Sequence, residues 1–257
     1  MRSIIQIAAM SALLSGPLFA VTTVISDNFD SGTASADWYR NSAVNIVPGG
    51  PGASVNYAHL LAGADVVTSG LGDQIGMADN FVIDFYFRVQ ASSNRQLNLS
   101  VSTVSVNPSP GDATVNLRIQ GNTFAVYRPS DTTWVAVGGL GSVTPGTWYR
   151  MQFEGVGWGS AGASYTLRLS GAGGDTLTNE VTGLTTIQNG SITGNTTYGG
   201  NVYNGTARSF LFSTTYGTNP GFDIDNVVVT GNLIPEPSAV AFLGAASLVG
   251  LSRRRRA

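Results

Sequence analysis

The sequence predicts an all-β protein: an antiparallel β-sandwich of jelly-roll type, flanked by an N-terminal signal peptide and a short C-terminal hydrophobic helix. Three observations carry this. Apolar and polar residues alternate with period two through most of the middle of the chain. Clusters of Gly, Asn and Pro cut the alternating runs at short intervals. Between residue 22 and the tail no segment shows the 3.6-residue repeat of an amphipathic helix.

In chain order, the first segment is "MRSIIQIAAMSALLSGPLFA", with Arg2, an apolar stretch from Ile4 to Leu14, and a small residue at Ala20. This is the layout of a secretory signal peptide, which makes the Sec machinery and signal peptidase partners, with cleavage expected after Ala20. The body, 21–233, is read as one domain. In "NFVIDFYFRVQ" (80–90), Phe81, Ile83, Phe85, Phe87 and Val89 face one way, and Val82, Asp84, Tyr86, Arg88 and Gln90 the other. "QLNLSVS", "TVNLRIQ", "TWYRMQFEG" and "SYTLRLS" repeat the pattern. Each strand is expected to have one buried and one wet face, as antiparallel sheets do. Turn clusters such as "GGPGAS", "NPSPGD", "TPGT" and "GAGGD" separate the strands, and Gly121-Asn122 between two alternating runs predicts a tight hairpin. About a dozen strands without helices suggest two packed sheets.

Composition excludes several functions. Charged residues make up 11% of the chain, against about 25% in typical soluble domains, and lysine is absent. Setting aside Arg2, the four terminal arginines and Glu236, eight arginines face fourteen acids, a net charge near −6. Such a body cannot hold nucleic acid by neutralising phosphates. With no cysteine and one histidine, thiol catalysis, zinc fingers and haem attachment are excluded as well.

The tail, 234–257, is different. Ala239 to Leu251 is a run of thirteen uncharged residues, ending in Arg253, Arg254, Arg255 and Arg256. As a helix it would rise roughly 20 Å, short of the ~30 Å hydrocarbon layer, so it reads as a marginal, transient membrane segment with its arginines on the cytoplasmic side. Pro235-Glu236-Pro237, then a Gly/Ala/Leu-rich span, then the Arg cluster resembles the PEP-CTERM sorting signal of exported bacterial proteins. That resemblance implies an exosortase-type membrane protease as partner, removal of the tail, and a secreted or cell-surface location. An ordinary C-terminal anchor would give the same topology.

"NFVIDFYFRV", "GTWYRMQFEGVG" leading into "YTLRLSG", and "FDIDNVVVTG" closing the body resemble the concanavalin-A-like (laminin-G-like) sandwiches. The resemblance implies first and last strands side by side, and carbohydrate as ligand class.

Candidate sites follow from chemistry. Glycan hydrolysis usually needs paired carboxylates; the Glu-x-Asp-x-x-Glu strand of sandwich hydrolases is absent and the chain has only three glutamates, so no enzyme is expected. Arg150 and Glu154 share a strand face and read as a solvated ion pair. His59 reads as a strand histidine held by a backbone hydrogen bond. "SDNFDSG" opens the body and "FDIDN" closes it: Asp27, Asp30, Asp223 and Asp225 supply hard oxygens that suit Ca2+, or else cap turns and face water. For sugar contact, the aromatic faces and amides of Tyr198, Asn201, Tyr203 and Asn204, in a Gly-rich loop, are candidates, together with Trp158 between two glycines. The functional expectation is an exported surface or matrix protein that binds extracellular polysaccharide. A structural protein of the envelope or biofilm matrix is the alternative, and a glycoside hydrolase a distant third.

Overall fold

The structure, a computed structural model, describes residues 21–34, 38–40, 44–61, 65–68, 77–90, 96–102, 113–128, 132–158, 160–186, 195–198, 201–204, 207, 209–214 and 221–233. It is an all-β sandwich. One sheet contains β1 (Val21–Asp27), β3 (Val44–Pro48), β4 (Asn56–Leu60), β6 (Met77–Val89), β11 (Trp148–Trp158), β12 (Ser164–Ser170), β13 (Leu177–Leu184) and β17 (Phe222–Leu233). The second contains β2 (Trp38–Arg40), β5 (Asp65–Thr68), β7 (Gln96–Ser102), β8 (Ala113–Gln120), β9 (Thr123–Arg128), β10 (Thr133–Ala136) and β16 (Ser209–Thr214). A separate hairpin pairs β14 (Asn195–Tyr198) with β15 (Asn201–Asn204).

The eight-stranded sheet runs β13-β12-β11-β6-β17-β4-β3, and the seven-stranded sheet β10-β9-β8-β7-β16-β5-β2. Every strand pairing among the described residues is antiparallel, which is why period-two alternation is so clear in the sequence. β1 lies against β17, so the first and last strands are neighbours, as the resemblance implied.

The alternating apolar residues meet between the sheets. Phe81, Ile83, Phe85, Phe87 and Val89 of β6 are all buried, facing Leu97, Leu99 and Val101 of β7 and Val115, Leu117 and Ile119 of β8. Aromatic contacts cross the layers: Phe85 meets Phe212 edge-on with centroids 4.9 Å apart, and Phe87 meets Phe124 at 6.4 Å. Burying each such ring contributes about 1.5–3 kcal/mol, and favourable ring geometry about 0.5–1.5 more. Between β8 and β9 only Gly121 and Asn122 turn the chain, and Gly121 adopts φ 57°, a left-handed conformation that glycine takes without steric cost.

Two features of this layout position the functional faces. β17 keeps β6 along one edge, but its other edge is shared: β4 pairs with Phe222–Ile224, and β1 pairs from Val227 onward. Asp225 and Asn226 sit at the gap, where the register with β6 also shifts. On the seven-stranded sheet, the residues pointing away from the core are buried too: Ser100, Ser102, Thr114 and Ser209 have no exposed surface. The expectation of one wet face per strand therefore fails for β7, β8 and β16. Period two reports which side a residue takes, while burial of that side depends on what covers it.

Candidate functional site

The outer face of the seven-stranded sheet has a floor of small hydroxyl and amide side chains. β7 contributes Asn98 and Ser100, β8 Thr114, Asn116 and Arg118, and β16 Ser213; register sets Asn98 between Arg118 and Ser213, and Ser100 opposite Asn116. Ser100 and Asn116 touch through Oγ and Oδ1 at 3.4 Å. At one end the Arg118 guanidinium lies 4.1 Å above the Trp134 ring, and Trp134 meets Tyr127 edge-on at 5.4 Å. Burial pulls the Arg118 guanidinium below its ordinary value. Thr114 Oγ1, Ser213 Oγ and Arg118 Nε are buried with no hydrogen-bond partner. Each such group costs about 1–3 kcal/mol. These three atoms are closed off from solvent, whereas the half-exposed Trp134–Tyr127 pair offers an apolar surface to a ligand with a flat apolar side.

The outer face of the eight-stranded sheet is charged instead. Asp223, fully buried, accepts a hydrogen bond from His59 Nδ1 at 2.6 Å, one from Arg88 Nε at 2.7 Å, and one from the Gln90 amide. The Arg88 guanidinium lies over both the Tyr57 and Trp148 rings, 5.0 and 4.7 Å from their centroids, and the two rings meet edge-on at 5.6 Å. Next to it, Arg150 grips Asp84 with two hydrogen bonds, of 2.9 and 2.7 Å. Two expectations are corrected here. His59 is held by a carboxylate rather than by backbone, and Arg150 and Glu154, although on one face, pair across strands with Asp84 and Arg168. Cross-strand neighbours are nearer than residues four apart along an extended chain.

Of the four candidate metal-ligating aspartates, Asp223 is committed to His59, Arg88 and Gln90. Asp27 Oδ1 accepts the Phe29 N–H at 2.8 Å. Asp30 Oδ1 accepts the N–H groups of Val55 and Asn56 and the Ser54 hydroxyl, at 2.6, 3.0 and 3.0 Å. The amides of Asn56 and Val55 hold the Asp30 carboxyl below its ordinary value. Asp225 differs: Oδ1 accepts the Asn226 N–H at 2.7 Å, while Oδ2 is buried without a donor. Burial pushes its carboxyl up to about 6, offset in part by the Ser54 hydroxyl and the Asn226 amide and reinforced by the nearby Asp30 and Asp27 charges. Among the described residues no group of three or more His, Cys, Asp or Glu side chains is placed to hold a metal ion.

Trp158, expected at the surface, ends β11 in the core at 1% exposure. Its ring packs edge-on against Phe81 at 4.7 Å, and its Nε1–H donates to the Ser164 carbonyl at 3.0 Å. A buried ring has no face for a sugar, so Trp158 is removed from the ligand set. The segment read as a Gly-rich loop is instead a hairpin: Tyr198 pairs with Asn201, Thr196 with Tyr203 and Asn195 with Asn204. Its turn, 199–200, lies outside the described residues, as do the segment read as a signal peptide and the segment read as a sorting signal, with Pro235, Glu236, Pro237 and the terminal arginines.

The fold and these faces define a class: two-layer antiparallel jelly-roll sandwiches with a polar sheet face. No protein-family model and no curated protein matches the sequence. Solved structures do share the fold. A carbohydrate esterase of the Shiga toxin-encoding bacteriophage phi24B is 14% identical with a TM-score of 0.50, over 83% of this chain and 100% of that one. An endo-β-1,4-glucuronan lyase from the fungus Trichoderma reesei is 12% identical with a TM-score of 0.51, over 82% and 96%. A marine alginate lyase from Aplysia kurodai is 11% identical with a TM-score of 0.52, over 81% and 98%. At such identities the likeness concerns the fold. It nevertheless overturns the expectation of no enzyme: that rested on one missing hydrolase pattern, and this fold serves an esterase and two lyases that the pattern does not describe.

Proposed function

We propose that this is an exported bacterial surface or matrix protein that binds polysaccharide on the outer face of its seven-stranded sheet. The carrying observation is the half-exposed Trp134–Tyr127 pair at the end of that face, with the Arg118 guanidinium over the Trp134 ring. An apolar sugar ring face can stack on this aromatic pair, with sugar hydroxyls accepting from the guanidinium beside it. That the three fold relatives above are named for carbohydrate chemistry supports the ligand class. Tyr198, Asn201, Tyr203 and Asn204, on the hairpin that precedes β16, are kept as candidates for sugar contact on their residue types alone. Export rests on the signal peptide, and surface sorting on the Pro-Glu-Pro, apolar and Arg tail with its exosortase-type protease.

The test is a pull-down of the purified protein on a panel of insoluble and extracellular polysaccharides, with product release followed in the same tubes. Saturable retention on one glycan, weakened by Trp134→Ala in a folded protein, is the expected result. Absence of retention on every glycan, with the protein folded, would overturn the reading. Release of acetyl groups or of unsaturated sugar ends would place catalysis on top of binding.

A further inference from the structure

We propose that the outer face of the eight-stranded sheet carries a second polysaccharide site, centred on Trp148 and Tyr57, so that one molecule holds two glycan chains and cross-links them. The proposal rests on the glycan reading of the seven-stranded face. What carries it is a side-chain arrangement that occurs on both faces. On the seven-stranded sheet the Arg118 guanidinium lies 4.1 Å from the Trp134 centroid, and Trp134 meets Tyr127 edge-on at 5.4 Å. On the eight-stranded sheet the Arg88 guanidinium lies 4.7 Å from the Trp148 centroid, and Trp148 meets Tyr57 edge-on at 5.6 Å.

Strand order builds the second arrangement. Register sets His59 of β4, Asp223 of β17, Arg88 of β6 and Trp148 of β11 in one row across the sheet. Their chain neighbours Ala58, Phe87, Tyr149 and Phe222 fill the core, so the row points outward. Three strand spacings of about 4.8 Å separate β4 from β11. Tyr57 and Trp148 therefore reach toward one another across β17 and β6, over the Arg88 guanidinium. Asp223 anchors that guanidinium from below through Nε. It also takes His59 Nδ1, which turns Nε2 to the other side of the imidazole, where it has no hydrogen-bond partner among the described residues. Tyr57, His59, Arg88 and Trp148 are all half-buried.

A sugar ring has an apolar face and a rim of hydroxyls. The Trp148–Tyr57 pair offers apolar area on side chains with few torsions to freeze, and the Arg88 guanidinium and His59 Nε2 supply polar groups for the hydroxyls beside it. Because Asp223 already fixes Arg88 and His59, little ordering remains to oppose binding. The outer faces of the two sheets look in opposite directions, across layers that pack about 10 Å apart. A chain lying on one face therefore leaves the other free for a second chain. Each molecule joins two chains, and a chain held at many such links gains avidity without any new contact.

Equilibrium dialysis of the full chain against fluorescein-labelled xylohexaose, cellohexaose and an alginate hexamer tests it. The hexasaccharide that binds should saturate at two per chain, and Trp148→Ala should lower that to one. If Trp148→Ala does not fold, Tyr57→Ala takes its place, and the stoichiometry of the parent chain decides without either variant. Saturation of the parent at one per chain overturns the second site while leaving the glycan reading intact, as does a folded Trp148→Ala that still binds two. Absence of binding to every hexasaccharide, with the protein folded, overturns the second site together with the reading on which it rests.

Discussion

Asp223 and Asp225 are two residues apart on one strand, share a face and are both fully buried, yet the same substitution should move stability in opposite directions. Asp225→Asn replaces a carboxylate whose charged form the fold disfavours. Its folded value, about 6, stands above the ordinary 3.8. A raised carboxyl contributes stability that is fully present below the unfolded value and is lost as pH rises through the folded one. At ~1.4 kcal/mol per unit, the ionised group therefore costs the fold about 3 kcal/mol above pH 7. The neutral amide avoids this cost, so Asp225→Asn should be the more stable protein by up to that amount at pH 8. The difference should shrink to almost nothing below pH 4. Asp223→Asn instead takes the charge from Arg88 and His59, and breaking a buried pair costs about 3–5 kcal/mol. Urea unfolding in chelator at pH 8 and pH 4, followed by tryptophan fluorescence, measures both; 3 kcal/mol is about 1 M or more in the midpoint. A destabilised Asp225→Asn at pH 8, or a gain that does not change with pH, would refute the reasoning.

Other predictions follow from the same geometry. Trp158→Ala should cost about 3–5 kcal/mol by emptying a packed site beneath Phe81 and Phe153, seen as a large fall in Tm; below that Tm, polysaccharide retention should be unchanged. Trp134→Ala should weaken retention about tenfold, read by depletion isotherms, with Tm nearly constant because the ring stacks on Arg118 outside the core. On the proposed sorting, replacing Arg253, Arg254, Arg255 and Arg256 with alanine should leave the tail uncleaved in a bacterial host that carries an exosortase-type protease, visible as a larger mass of the protein.

Much of the fold was legible because a sandwich writes itself along the chain. Alternation in 80–90, 96–102, 114–120 and 147–155 identifies strands and assigns each side chain to a face, since successive side chains on a strand point oppositely. Gly121-Asn122 could be read as a hairpin because a two-residue turn needs a left-handed residue there. These are local properties, set by a few bonds. The same holds for composition: a chain without lysine or cysteine loses whole classes of chemistry whatever its fold.

Tertiary structure decided the rest. Trp158, between two glycines, looked like a loop residue, but a long β11 carries it into the core beside Phe81, which is 77 positions away in the chain. His59 meets Asp223 only because β4 pairs with β17, and Asp225 stands apart from Asp223 only because β1 and β4 divide one edge of that strand. The Ser, Thr and Asn residues of β7 and β8 looked solvent-facing, and the sheet face they share turned out to be buried. Periodicity along a chain determines which way a side chain points. What it meets there depends on strand order, and strand order is settled by packing among residues far apart in sequence.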